Sequence, residues 1–307
     1  MPPHTEVPPA EETGESREGE GGGTAAARRR PRVGHIDFLN CFPLSWGLAA
    51  TGGMSGLELT RDTPDRLNAA LAAGELDMGP ISLVEFLRNA DELVALPGIG
   101  IGSDGPVMSC LVVSEVPLEE LDGAPVALCD TSRTSVRLAR LLLSERYGVE
   151  PDYFVSPPDL GSLLSRASAG VVIGDPALRA SLLEAPRKGL RVYDLGELWR
   201  ERTGLPFVFA VFAARRAFLA EEPETVHRVH RTLLDARDLA LAEIDTVCGE
   251  AAARSAQFDA RTLKRYFAEA LDYGLGERQL AAVAEFARRV GGAGEGFPPD
   301  VRVRLLA

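Results

Sequence analysis

Apolar and polar positions along the chain alternate between short strand-like runs and short amphipathic helices. The first run begins with Val33, Gly34 and Ile36, passes into Asp37-Phe38-Leu39-Asn40 and breaks at Pro43. A short helix is predicted over 44–50, closed by Thr51-Gly52-Gly53. Residues 57–61 alternate with period two, which predicts a strand. Thr63 and Pro64 supply an N-cap and a first helical position for a helix over 65–73, ended by Gly74. Residues 76–79 predict a strand, and Pro80-Ile81-Ser82 a strand-to-helix turn. Leu83, Phe86 and Leu87 form the apolar face of the helix after it. Strands are predicted at 93–100 and 107–113, with a loop at 101–106 between them.

The alternation continues with a strand at 126–128, a helix from the Thr131–Ser135 cluster to Tyr147, a strand at 152–155, a helix at 162–167, and strands at 171–173 and 191–195. The run 206–213 is apolar throughout. Beyond it the pattern is helical, over 223–243, 260–271 and 277–290. Strands alternating with helices predict an α/β fold with largely parallel sheets. The division predicts two lobes, one of 31–113 plus 206–307 and the other of 114–205. Two crossovers, near Val113 and Phe207, would join them around a cleft closed by a hinge.

Composition narrows the reading. At 307 residues the chain exceeds what one core usually serves, in keeping with two lobes. A formal charge of -12 argues against nucleic acid, which calls for a basic stripe. It also means that an anionic ligand must be drawn by local donors. No apolar run has the length of a membrane span. Residues 1–30 are rich in Gly, Pro and Glu and are expected to be a disordered extension. Arg28–Arg30 lack a following apolar segment, so no secretory signal is expected and the location expected is cytoplasmic. Cys41, Cys110, Cys129 and Cys248 are scattered, as reduced thiols would be.

Candidate chemistry lies in five turns after predicted strands: Asn40, Ser82, Ser103–Ser109 with Gly105, Thr131–Ser135, and Gly174-Asp175. Singly, each hydroxyl reads as a helix cap. Together they can line one cleft at the strand ends. Thr131, Ser132, Thr134 and Ser135 at a helix start form the strongest anion site, with Arg133 adjacent. Acid/base candidates are His35, Asp37, Asp104 and Asp175, although Asp175 reads more simply as holding its own turn. His227 and His230 read as a solvated helix face, and no metal pattern is present. Strand alternation would point Cys41 and Cys110 into the core.

The segments VGHIDFLNCFPL (33–44), LDMGPIS (76–82), IGSDGPVMSCLVVS (101–114), VALCDTSRTSVRLARLLL (126–143) and VIGDPAL (172–178) together resemble the chorismate dehydratase family of the futalosine route to menaquinone. The resemblance implies a type II periplasmic-binding-protein-like fold with two α/β lobes, used as an enzyme. It implies dehydration of chorismate to 3-[(1-carboxyvinyl)oxy]benzoate, with no cofactor and no metal. It places the catalytic residues at Asn40 and Ser109. Ser82, Gly105, Thr131, Ser132, Thr134, Ser135 and Asp175 are expected to bind substrate, and His35 or Asp37 to be acid/base candidates. The alternatives are the sister enzyme acting on cyclic dehypoxanthinylfutalosine, or a small-anion-binding protein without enzymatic activity. Neither nucleic acid nor a membrane is an expected partner. Apolar positions on the terminal helices are compatible with a homodimer.

Overall fold

The computed structural model describes residues 29–255, 257–292 and 294–307. The extension expected at 1–30, with His4, lies outside the described residues except for Arg29 and Arg30. Arg29 is anchored: its guanidinium pairs with Asp77 at 2.6 Å.

Among the described residues ten strands form two five-stranded sheets. The first contains β1 (Arg32–Ile36), β2 (Glu58–Asp62), β3 (Met78–Ser82), β4 (Leu93–Ser103) and β10 (Phe207–Arg215), in the order β2-β1-β3-β10-β4. The second contains β5 (Cys110–Ser114), β6 (Pro125–Cys129), β7 (Asp152–Ser156), β8 (Ala169–Ile173) and β9 (Arg191–Asp194), in the order β7-β6-β8-β5-β9. The chain passes between the sheets at 104–109 and returns at 204–206.

Two expectations need correction. The strand expected at 107–113 begins at Cys110 and belongs to the second sheet, so the first crossover precedes it instead of lying near Val113. The sheets are mixed: β10 runs antiparallel to β3 and β4, and β5 antiparallel to β8 and β9. The reason is geometric. β1, β3, β6 and β8 all end at the cleft, whereas β5 and β10 arrive through the crossovers and start there.

The run 207–214 is apolar at every position because β10 is central and buried on both faces. Phe207 meets Trp199 and Phe286 edge to face, each with centroids 5.2 Å apart. Trp199 lies on the helix Leu195–Thr203 and Phe286 on the helix Glu277–Val290, so the aromatic cluster ties the C-terminal region to the return crossover. Trp199 Nε1 also donates to the Pro206 carbonyl at 2.9 Å. The helical turns at 174–188 do not follow from the sequence pattern, since Pro176 and Pro186 break the periodicity.

The helix Phe42–Ala50 packs against the long helix Pro223–Ala242. The contact requires Gly47, where an added Cβ would lie 1.9 Å from the Ala236 carbonyl oxygen. This packing fixes the helix that follows the Asn40 turn.

Candidate active site

The turn after β1 is built to present Asn40. Phe38 is extended, Leu39–Cys41 form a 3-10 turn, and Pro43 sits in the first turn of the following helix. Three contacts hold the turn or depend on it. The Leu39 amide donates to Asp175 Oδ1 at 2.9 Å, from the other lobe. The Tyr273 hydroxyl donates to the Asn40 carbonyl at 3.0 Å. Phe38 packs over Gly174, where an added Cβ would come within 2.9 Å of its ring. The Asn40 side-chain oxygen is buried without a hydrogen-bond partner.

Asn40 faces a cavity of about 540 Å³, including its open mouth. Ser82 stands on the same lobe, held by Asn68: Asn68 Nδ2 donates to its hydroxyl at 3.1 Å and its amide donates to Asn68 Oδ1 at 2.9 Å. The facing wall is the start of the helix Thr134–Tyr147. There the Ser135 amide donates to Ser132 Oγ at 3.1 Å, and the Val84 amide crosses from the first lobe to Thr134 Oγ1 at 3.1 Å. Thr131 Oγ1 is buried without a partner, like the Asn40 oxygen. Ser109 enters from the crossover, its hydroxyl 3.4 Å from the Val107 carbonyl. Ile36, Ile101, Ile173 and Phe209 supply apolar surface between these donors.

The wall is nearly free of charge. Arg133, exposed at the mouth, is its one ionised side chain among the described residues. Neutral donors at the N-terminus of a 14-residue helix favour an anion without a salt bridge. Burial pushes the Cys41 and Cys129 thiols up to about 12 and the Cys110 thiol higher still, so none is a thiolate nucleophile at neutral pH. Burial likewise raises the Tyr266 and Tyr273 hydroxyls well above the usual range, leaving both as neutral donors. No group of three His, Cys, Asp or Glu among the described residues is placed to hold a metal.

The structure thus gathers Asn40, Ser82, Ser109, Thr131, Ser132, Thr134 and Ser135 around one cavity. Five candidates lie off its wall, and one of them, Asp104, is exposed in the crossover and paired with Arg200 and Arg278. Gly105 is buried in the crossover at φ +124. Asp175 stands behind the Asn40 turn, its carboxyl raised above the ordinary range by burial. His35 and Asp37 line a neighbouring groove with Arg61, Glu250 and Arg254. Burial, with Arg61 nearby, lowers His35 to about 4. Cys110, expected to face the core, stands on the cavity wall beside Ser109. Three residues near the site had no role in the sequence reading. Tyr273 holds Asn40. Tyr266 is fully buried, its hydroxyl without a hydrogen-bond partner. Asp194 binds the crossover backbone. Asp194 alone carried a local signal, an acidic residue between a strand and a helix start.

The sequence profile of a family described as Menaquinone biosynthesis matches residues 31–291. Chorismate dehydratase of Thermus thermophilus is 36% identical over 200 residues, 61% of this chain and 71% of that protein. The 1,4-dihydroxy-6-naphtoate synthase of the same organism is 31% identical over 161 residues, 52% of this chain and 56% of that protein. Chorismate dehydratase of Campylobacter jejuni is 29% identical over 184 residues, 59% of this chain and 66% of that protein. A solved structure from Archaeoglobus fulgidus superimposes with TM-score 0.66 at 20% identity, covering 84% of this chain and 96% of that one. The periplasmic aliphatic sulphonate binding protein of Escherichia coli does so with TM-score 0.59 at 16% identity, covering 85% of each. The fold is the two-lobed, type II periplasmic-binding-protein fold.

Proposed function

The chain belongs to the menaquinone-biosynthesis family, and from that premise we propose that it is a chorismate dehydratase. The substrate would be chorismate and the products 3-[(1-carboxyvinyl)oxy]benzoate and water. One observation carries the reading: Asn40 and Ser109 face one cavity whose wall offers neutral donors and neither a carboxylate nor an imidazole.

Chorismate is a dianion with an enolpyruvyl ether and a ring hydroxyl. Dehydration breaks the ring C3–H and C4–O bonds. The C3 electron pair enters the ring, which becomes aromatic, and the proton and hydroxide leave as water. Aromatisation makes the product strongly favoured, so the protein has to bind, orient and assist one proton transfer. The helix start at Thr134, with Ser132, Ser135 and Arg133, suits one carboxylate. The ring hydroxyl can donate to the unpartnered Asn40 oxygen and accept from the Thr131 hydroxyl, which would satisfy two buried groups that otherwise cost about 1–3 kcal/mol each.

With no protein base on the wall, the substrate's own enolpyruvyl carboxylate is the proton acceptor in this reading. Asn40 and Ser109 fix its position over the C3 hydrogen, a role in which orientation supplies much of the rate. The test is incubation of the purified protein with chorismate, followed by chromatography for a product lighter by one water. Asn40→Ala should lower kcat by about 10²-fold or more while KM changes little. An intact kcat in that variant would remove Asn40 from the chemistry, and unconsumed chorismate would overturn the reading.

A second reading rests on the 31% identity to the 1,4-dihydroxy-6-naphtoate synthase. Parallel incubation with cyclic dehypoxanthinylfutalosine distinguishes the two, because turnover of that compound alone would transfer the assignment to the sister reaction.

A further inference from the structure

Ser109 ends the crossover 104–109, and one carboxylate outside the cavity holds that crossover in place. Asp194 closes β9 and caps the helix Leu195–Thr203, its Oδ1 accepting from the amides of Gly196 at 2.9 Å and Glu197 at 3.2 Å. The same carboxylate reaches the crossover. Both its oxygens lie 3.0 Å from the Val107 amide, and Oδ2 accepts from the Met108 amide at 2.7 Å. Four backbone N–H groups from two elements therefore converge on one side chain.

The crossover needs this restraint. Met108 has φ +63, the one non-glycine residue in the left-handed region among the described residues. That conformation costs about 1–2 kcal/mol and persists only where surroundings impose it. It also decides where the next side chain points. Beyond Met108 the backbone is pinned again, because the Gly174 amide donates to the Ser109 carbonyl at 2.8 Å. The Ser109 hydroxyl then rests against the carbonyl of Val107, whose amide Asp194 binds. Gly196 lets the helix start come this close: an added Cβ would stand 2.5 Å from both the Gly105 carbonyl oxygen and Ser103 Oγ.

We propose that Asp194 is the positioning residue for Ser109, holding Val107 and Met108 in the shape that aims the Ser109 hydroxyl into the cleft. The proposal rests on the reading of Ser109 as a catalytic residue. Asp194 is off the cavity wall, so its effect runs through the crossover and not through contact with substrate.

A double-mutant cycle on the full chain tests it, with chorismate as substrate and the unfolding temperature recorded for each protein. The variants are Asp194→Asn, Asp194→Ser, Ser109→Ala and the combinations. Asp194→Asn and Asp194→Ser each keep one oxygen as an N-cap for the helix, so the pair gives two routes to a folded protein. Either Asp194 variant should lower kcat by about 10- to 100-fold with KM little changed, as a displaced reacting group does. In the Ser109→Ala background the same substitutions should cause no further loss of kcat. A structural role alone would lower the unfolding temperature and add the same factor in both backgrounds, which would overturn the proposal. If Ser109→Ala itself leaves kcat intact, the catalytic reading of Ser109 fails and the role of Asp194 falls with it. If Ser109→Ala cuts kcat while the Asp194 losses remain additive, the Asp194 proposal alone fails.

Discussion

Asp175 Oδ1 accepts the Leu39 amide at 2.9 Å, so a carboxylate of one lobe holds the turn by which the other lobe presents Asn40. Asp175→Ala removes that acceptor and frees the turn. The expected result is a kcat lower by about 10²-fold, the cost of a misplaced reacting group. Asp175→Asn keeps an oxygen for the Leu39 amide and should retain kcat within a few-fold. The charge itself opposes folding. Burial raises the folded-state carboxyl above its ordinary value of 3.8, so the folded state binds the proton more tightly than the unfolded chain. Stability from this group therefore falls as pH rises through that window. Asp175→Asn should unfold at a higher temperature than the parent at pH 7, and calorimetry on the two proteins reads this directly.

Asp77 has the opposite sign. Its buried carboxylate accepts from Arg29 at 2.6 and 2.9 Å, from the Arg32 amide at 2.8 Å and from the Arg32 guanidinium at 2.7 Å. These donors hold its carboxyl far below the usual range. The stabilisation is present above the ordinary value of 3.8 and is lost as pH falls below it. Asp77→Asn should cost about 1–2 kcal/mol at pH 7, the scale of charge-assisted hydrogen bonds lost to arginines that stay partly in solvent. Denaturant titrations at pH 7 and in strong acid should show the difference between the two proteins shrinking in acid.

His35 bears on the rival mechanism in which a protein side chain takes the proton. It faces the groove shared with Arg61, away from Asn40 and Ser109. His35→Gln should leave every ionisation of the pH–rate profile in place, and a lost ionisation would reinstate it as the base. Its signature is in stability. Lowered from 6.5 to about 4, the folded imidazole binds fewer protons than the unfolded one between those values. Its stabilisation is complete above the unfolded value and is lost as pH falls toward about 4. The His35→Gln protein should show a shallower decline of unfolding temperature over that interval.

The parts of the site legible in sequence were those encoded locally. A strand followed by small polar residues and a helix start places donors at the cleft, which located Asn40, Ser82 and the Thr131–Ser135 cluster. Long-range partners left no such trace. Tyr273 meets Asn40 across 233 positions and Asp194 meets Val107 across 87. Strand parity failed at Cys110 for a specific reason. The expectation set Cys110 opposite its neighbour Ser109 on one strand, but the strand begins at Cys110 and Ser109 belongs to the crossover, where strict alternation does not apply. The mixed sheets were missed because strand direction depends on where a crossover delivers the chain, and period-two patterning carries no direction.

Thr134 is a second link between the lobes. Its buried hydroxyl accepts the Val84 amide at 3.1 Å, a group that the helix Leu83–Arg88 cannot satisfy internally. Thr134→Val conserves shape and removes the acceptor. If the lobes stayed together, the buried N–H would cost about 1–3 kcal/mol. Opening the cleft lets water reach it, so the substitution favours the open arrangement over global unfolding. Substrate must then supply the energy of closure, and about 1.4 kcal/mol corresponds to a tenfold weaker apparent affinity. The expected outcome is a KM raised by about tenfold, with kcat and unfolding temperature nearly unchanged. Thr134→Ser retains the hydroxyl and should restore the parental KM. A rise in KM common to both variants would instead point to lost packing of the threonine methyl.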